Sequence, residues 1–409
     1  MLGKTAALTS AILLSTLGTL GCEVQPASQK QLQNPTALIA EGFRLLEEQS
    51  QRLFMSGEVV DFGRLKRDGK IDFALVTPSL TRMDLLSFDL STLISPEFDQ
   101  IQVVGYNLSI PSNISLPAQR ENYSLFTISL DKPAYKSFVN ASGDYTFSAL
   151  RGQFPVKQVV DDFRSDKSIF EIMNHFSFLG SGKIDVQLTG SIQNQNISVN
   201  QVNFDQEATI VGPEITSEQL AFGVSVSDEA GKLSPVDLKN LKRGQSQVLR
   251  VAPYGKPLLL SALVNKGAEG EMPNFDQMSL TLIPMEEAAS LDFLPMVETP
   301  VLNENVLTLY PPTLREGLLA QSVYISFSEV KTVGQGGVKT EEKTMIWENF
   351  YQGFPSFVEI PPLDFEKNPE RSYQFEVLYL AKDLSIIQSA EVGSLEEITH
   401  ISRNIVVLE

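Results

Sequence analysis

Histidine, cysteine, serine and paired carboxylates are the residues that could carry a reaction in this chain, and their numbers and spacing narrow the chemistry. Two histidines, His175 and His400, and one cysteine, Cys22, occur in 409 residues. That set is too small for the usual histidine and cysteine zinc sites. Gly223-Val224-Ser225-Val226-Ser227 departs at its last position from the glycine-serine-glycine turn that exposes a nucleophilic serine. No D-x-D-x-D-G calcium loop is present, and Asp228-Glu229-Ala230-Gly231 lacks the spacing. Leu179-Gly180-Ser181-Gly182-Lys183-Ile184 ends like a phosphate loop, but Ser177 and Ile184 stand where glycine and a hydroxyl residue are required. Those glycines read instead as a helix stop before a strand. Adjacent acids at Asp161-Asp162, Glu286-Glu287, Glu341-Glu342 and Glu396-Glu397 supply carboxylates. Glycoside hydrolysis needs two of them about 5–9 Å apart across a cleft, which sequence adjacency does not provide. No catalytic residue, metal or cofactor is therefore expected. A carboxylate-dependent glycan hydrolase is the alternative. The aromatic run Trp347, Phe350 and Tyr351 is either core or, if exposed, a ligand platform.

The N-terminus explains the lone cysteine. Ala6 to Leu20 carries no charge, follows Lys4, and is too short to span a bilayer, which takes about 20 residues. It ends at Thr19-Leu20-Gly21-Cys22. This stretch resembles the lipobox of bacterial lipoproteins, with Thr19 and Leu20 departing from the commonest residues. The resemblance implies cleavage between Gly21 and Cys22, acylation of the cysteine, and anchoring of the mature chain to the membrane by lipid. One acyl chain anchors weakly, so the several chains of that family matter. Glu23 after the cysteine implies the outer rather than the inner membrane of the cell envelope, with the body either periplasmic or surface-facing.

Charge sets the partners. The formal net charge is −18, and loss of Lys4 with residues 1–21 makes it −19. Such a chain repels nucleic-acid phosphates and anionic lipid surfaces alike. The basic group Arg64, Lys66, Arg67 and Lys70 brackets Asp68-Gly69 and reads as a solvated hairpin tip. A protein or glycan partner in the envelope fits the charge better.

The remaining chain reads as mainly β, in tandem sandwich-like modules, the first α+β. Residues 22–36 are a polar tether, and residues 37–210 form a β-rich domain with helices near 35–54 and 155–177. Ile39, Phe43, Leu46 and Phe54 lie along one stripe of the first helix. Val60–Leu65 and Ile71–Val76 flank Asp68-Gly69 as a predicted hairpin. Residues 211–295 show short, closely spaced strands, as β-sandwiches do. Prolines cluster at 284, 295, 300, 311 and 312, placing a junction near 290–302. In 300–409, Tyr373, Phe375, Val377 and Tyr379 share one strand face. Pro361-Pro362-Leu363 ahead of Tyr373 resembles the approach to the tyrosine-bearing strand of fibronectin type III domains, which implies an immunoglobulin-like sandwich and no particular function.

Overall fold

The computed structural model describes residues 54–62, 69–80, 98–103, 106–111, 113–117, 123–129, 144–165, 172, 174–187, 192–267, 274–287, 291–335, 338–361, 371–386 and 397–408. The expected signal segment, tether and first helix fall almost wholly outside these residues. Phe54, expected at the end of that helix, opens the first strand.

The described chain is mainly β. In the first 211 residues the strands are β1 Phe54–Val60, β2 Lys70–Pro78, β3 Phe98–Val103, β4 Tyr106–Pro111, β5 Ile114–Ser115, β6 Tyr123–Ser129, β7 Asp144–Pro155, β8 Ser177–Gln187, β9 Ile192–Asn194, β10 Ile197–Ser198, β11 Val202–Asn203 and β12 Gln206–Val211. Helix α1, Val156–Arg164, follows β7. Then come β13 Gln219–Glu229, β14 Lys232–Leu241, β15 Ser246–Val251, β16 Lys256–Asn265, β17 Asn274–Pro284, β18 Val301–Asn303, β19 Val306–Thr308, β20 Leu318–Gln335, β21 Val338–Gln352, β22 Phe357–Glu359, β23 Ser372–Asp383 and β24 His400–Leu408.

Side-chain alternation assigns these strands to layers. In β2, Phe73 and Leu75 face one way and Ala74 and Val76 the other, and all four are buried. A strand buried on both faces belongs inside a sheet. The sheet β11-β8-β7-β2-β5 accordingly forms a middle layer. One of its faces meets Met55, Val59 and Phe126 of the outer sheet, in which β1 pairs with β6, β9 and β10. The other meets Phe222, Val224, Leu258 and Leu260 of an eight-stranded sheet. Phe73 sits at that second interface, its ring centroid 5.6–6.0 Å from those of Phe154, Phe176 and Phe178. Of the predicted hairpin, residues 63–68 lie outside the described residues, and its second strand, Ile71–Val76, lies in β2, which pairs with β5 and β7. β1 and β2 lie in two facing sheets, on either side of the core that Met55, Val59, Ala74 and Val76 share.

The eight-stranded sheet runs β14-β13-β16-β17-β24-β23-β20-β21, every pairing antiparallel. Its far face is covered twice. The β12–β15 pair packs on one half through Ile210, Leu249 and Val251. The small sheet β18-β19-β22 packs on the other through Leu307 and Val358, against Val323, Ile325, Phe327, Phe375 and Val377. The halves join where Gln277–Thr281 of β17 pairs with His400–Asn404 of β24. The extended segment 291–300 lies along this seam: Gln277 and Asn404 donate to the Val297 carbonyl (3.1 and 3.2 Å) and Ser402 donates to that of Pro295 (3.0 Å).

Candidate functional site

Period-2 geometry separates the three aromatic residues expected to act together. In the ladder, Trp347 is opposite Phe327 and Tyr351 opposite Val323, both on the face covered by the small sheet. Trp347 and Tyr351 are partly buried there, and the Tyr351 hydroxyl donates to the Glu359 carbonyl at 3.3 Å. Phe350 is opposite Tyr324 on the other face. Their ring centroids lie 4.7 Å apart, and Phe350 is 45% exposed.

That other face is exposed along β21 and at Val407, while Ser326, Ser328, Gln374, Leu378 and Arg403 on it are buried. One row across its strands runs Phe350, Tyr324, Leu378, Arg403; the next runs Glu348, Ser326, Glu376, Ile405; a third runs Met345, Ser328, Gln374, Val407. Met345 and Val407 are 52% and 56% exposed. The polar groups are tied to one another. The Tyr324 hydroxyl donates to Glu348 at 2.6 Å, and the Arg403 guanidinium donates to Glu376 at 2.5 Å. Burial, and then the Glu348 carboxylate, push the Tyr324 hydroxyl above its ordinary pKa, so it remains a proton donor at neutral pH.

The two edges of this sheet differ. At β14, Leu80 and Leu233 exchange two backbone hydrogen bonds (3.0 and 2.7 Å) across the edge. Nearby, Asp237 of β14 accepts the Arg250 amide of β15 at 2.9 Å, beside a cavity of about 10 Å³, room for a single water. Burial raises the pKa of Asp237, against the attraction of Lys239. At β21, β20 is the only strand paired with it among the described residues.

The other chemistry-bearing residues lie apart from this surface, and Cys22 and Gly21 lie outside the described residues. His175 contacts the Asp162 carboxylate at 2.7 Å, near the end of α1. His400 contacts the Thr399 hydroxyl at 2.8 Å, with both residues 2% exposed or less. Ser225 is buried, its hydroxyl donating to the Arg250 carbonyl at 2.6 Å. Glu397 is engaged by the buried Lys382. Of the four adjacent acid pairs, Asp161-Asp162 lies in α1, Glu286-Glu287 just after β17 and Glu341-Glu342 in β21, while Glu396 lies outside the described residues. Gly180 and Gly182 do not stop a helix. They lie inside β8, where a Cβ on Gly182 would stand 1.5 Å from the Ser198 carbonyl oxygen and one on Gly180 2.3 Å from that of Val202. Sequence reasoning could have found this, since a glycine within a strand pattern often marks close backbone approach.

What the surface can do chemically is bind. It offers apolar area, an aromatic pair, the Glu348 and Glu376 carboxylates, and a row of backbone donors and acceptors. Sequence reasoning found Phe350 but missed Met345 on the same strand, Tyr324 on the adjoining β20, and Val407, which the distant β24 brings to this face.

No protein-family profile matches the chain, and no curated protein matches it. Among solved structures, a point mutant of the major pilin from Streptococcus pyogenes aligns at 8% identity with a TM-score of 0.11, covering 75% of this chain and 95% of that one. A likeness at that score carries no argument about fold or function.

Proposed function

We propose that this chain is a lipid-anchored protein of the bacterial envelope whose β-modules bind a partner rather than catalyse a reaction. The lipobox at Cys22 supports the anchor, and Glu23 supports the outer membrane. The observation that carries the binding role is β21 itself, which pairs with β20 alone among the described residues and carries the exposed Met345 and Phe350. Apolar side chains on an uncovered sheet are a cost to a protein acting alone and a contact for one that docks. The partner is a protein or a glycan of the envelope. Photocrosslinking from position 350 in intact cells should give a discrete adduct, whereas the same probe at Lys239, near the covered edge, should not. Equal labelling from both positions, or none from either, would remove this reading.

A further inference from the structure

We infer that β21, between Thr344 and Gln352, accepts an extended segment of a partner protein as a ninth strand of the long sheet, and that one face of this segment carries apolar and basic residues in turn. The inference rests on the binding role proposed above and specifies its site and its chemistry.

An edge strand presents unpaired backbone N–H and C=O groups, and proteins guard such edges with charges, prolines, bulges or covering elements. The β14 edge is guarded by the Leu80–Leu233 bridge. The first part of β21 carries Lys339, Glu341, Glu342 and Lys343, and a register shift falls opposite Phe327 and Ser328. Beyond it, Thr-Met-Ile-Trp-Glu-Asn-Phe-Tyr-Gln contains neither lysine, arginine nor proline, and its one charge is Glu348. This stretch is long enough for an ordinary strand of about 5–6 residues to pair along it.

Side chains define what the added strand must carry. On the open face it would lie beside Met345, Glu348 and Phe350. Apolar residues on that face would cover Met345 and Phe350, which alone leave about half their surface in water. A lysine or arginine level with Glu348 would meet the only charge of the stretch, within a chain already at −18. Main-chain pairing of this kind gives affinity, and alternate side chains give specificity. A glycan would use the rings of Tyr324 and Phe350 and leave the backbone edge unpaired.

The test uses the full acylated protein in detergent micelles and a panel of synthetic peptides that carry valine and lysine in turn at every second position, with threonine between. Binding is read by calorimetry, and backbone hydrogen exchange is followed in the same samples. The expected result is slowed exchange at alternate amides of 344–352, loss of binding when the peptide is N-methylated along one edge, and at least tenfold weaker binding for Phe350→Lys. Met345→Lys should act likewise, and unchanged melting temperatures would exclude misfolding of either variant. Failure of every peptide to bind, binding without protection of β21, protection at β14 instead, or β21 protection that appears without peptide as the protein dimerises would each overturn the inference. A crosslink that persists from position 350 despite any of these results leaves the broader binding role standing. Loss of that crosslink removes the role itself.

Discussion

His400 should make this protein lose stability in acid, by an amount that its surroundings allow to be worked out. The ring is buried at the seam of the long sheet, on the first residue of β24. Burial holds its pKa down to about 4, from 6.5. Asp383 and Asp292 nearby pull it upward, and Arg315, ion-paired with both carboxylates, pulls it downward. A lowered pKa in a base means that the folded state binds the proton less readily than the unfolded one. The protein therefore keeps full stability from this group above pH 6.5 and loses it as pH falls from 6.5 towards 4. Linkage puts the loss at about 2 kcal/mol by pH 5 and about 3 kcal/mol by pH 4, levelling off below. Urea unfolding from pH 7 to pH 4 measures it, with His400→Gln as the comparison, since glutamine retains polar groups that can meet the Thr399 hydroxyl. The variant should show a flatter profile by that amount. Asp383 contributes at lower pH: burial raises its pKa, but hydrogen bonds from Ser385 and then Arg315 bring it below the ordinary carboxylate value. Its stabilisation is present above an unfolded pKa of about 3.9 and lost only as pH falls below that. Parallel profiles for the two proteins between pH 6.5 and 4 would refute the reasoning.

Replacing Phe73 by alanine should cost about 3–5 kcal/mol in urea unfolding, because three further phenylalanines close around its ring. Gly182→Ala should lower the melting temperature sharply, since its Cβ meets the Ser198 carbonyl. Gly69→Ala, at φ +78° with open space around it, should cost only about 1–2 kcal/mol from backbone strain. Cys22→Ser should shift the protein out of the membrane fraction or leave its precursor uncleaved. Normal processing and membrane retention in that variant would count against the lipid anchor.

Strand content was legible because burial imposes a period of two. Tyr373, Phe375, Val377 and Tyr379 read as one face, and all four are buried in β23. The same period already placed Phe350 opposite Trp347 and Tyr351, although the short run of aromatics invited grouping them. Pairing partners were not legible. Alternation tells which side of a strand faces a core, but not which strand pairs with it, so Val60–Leu65 and Ile71–Val76 read as a hairpin, while β1, ending at Val60, and β2 belong to different layers. The candidate surface was hidden for a related reason. Tyr324, Phe350 and Val407 come from three strands, and whether β21 is an edge depends on the order of the whole sheet. Of the helical segment expected over 155–177, the described residues contain α1, ending at Arg164, and residues 166–171 lie outside them.

The place of β24 bears on how the chain reaches this state after synthesis. It is made after every other strand of the long sheet, yet it lies fourth from the β21 edge, between β17 and β23. Until it arrives, β17 and β23 each lack a neighbour, and the two halves of the sheet lack the hydrogen bonds that unite them. Pairing residues 277–281 with 400–404 closes a loop of well over a hundred residues, a contact of the kind that slows folding. Completion of the long sheet must therefore wait for His400–Leu408. A chain stopped short of His400 would carry two exposed sheet edges in its middle, open to aggregation or to capture by whatever escorts it.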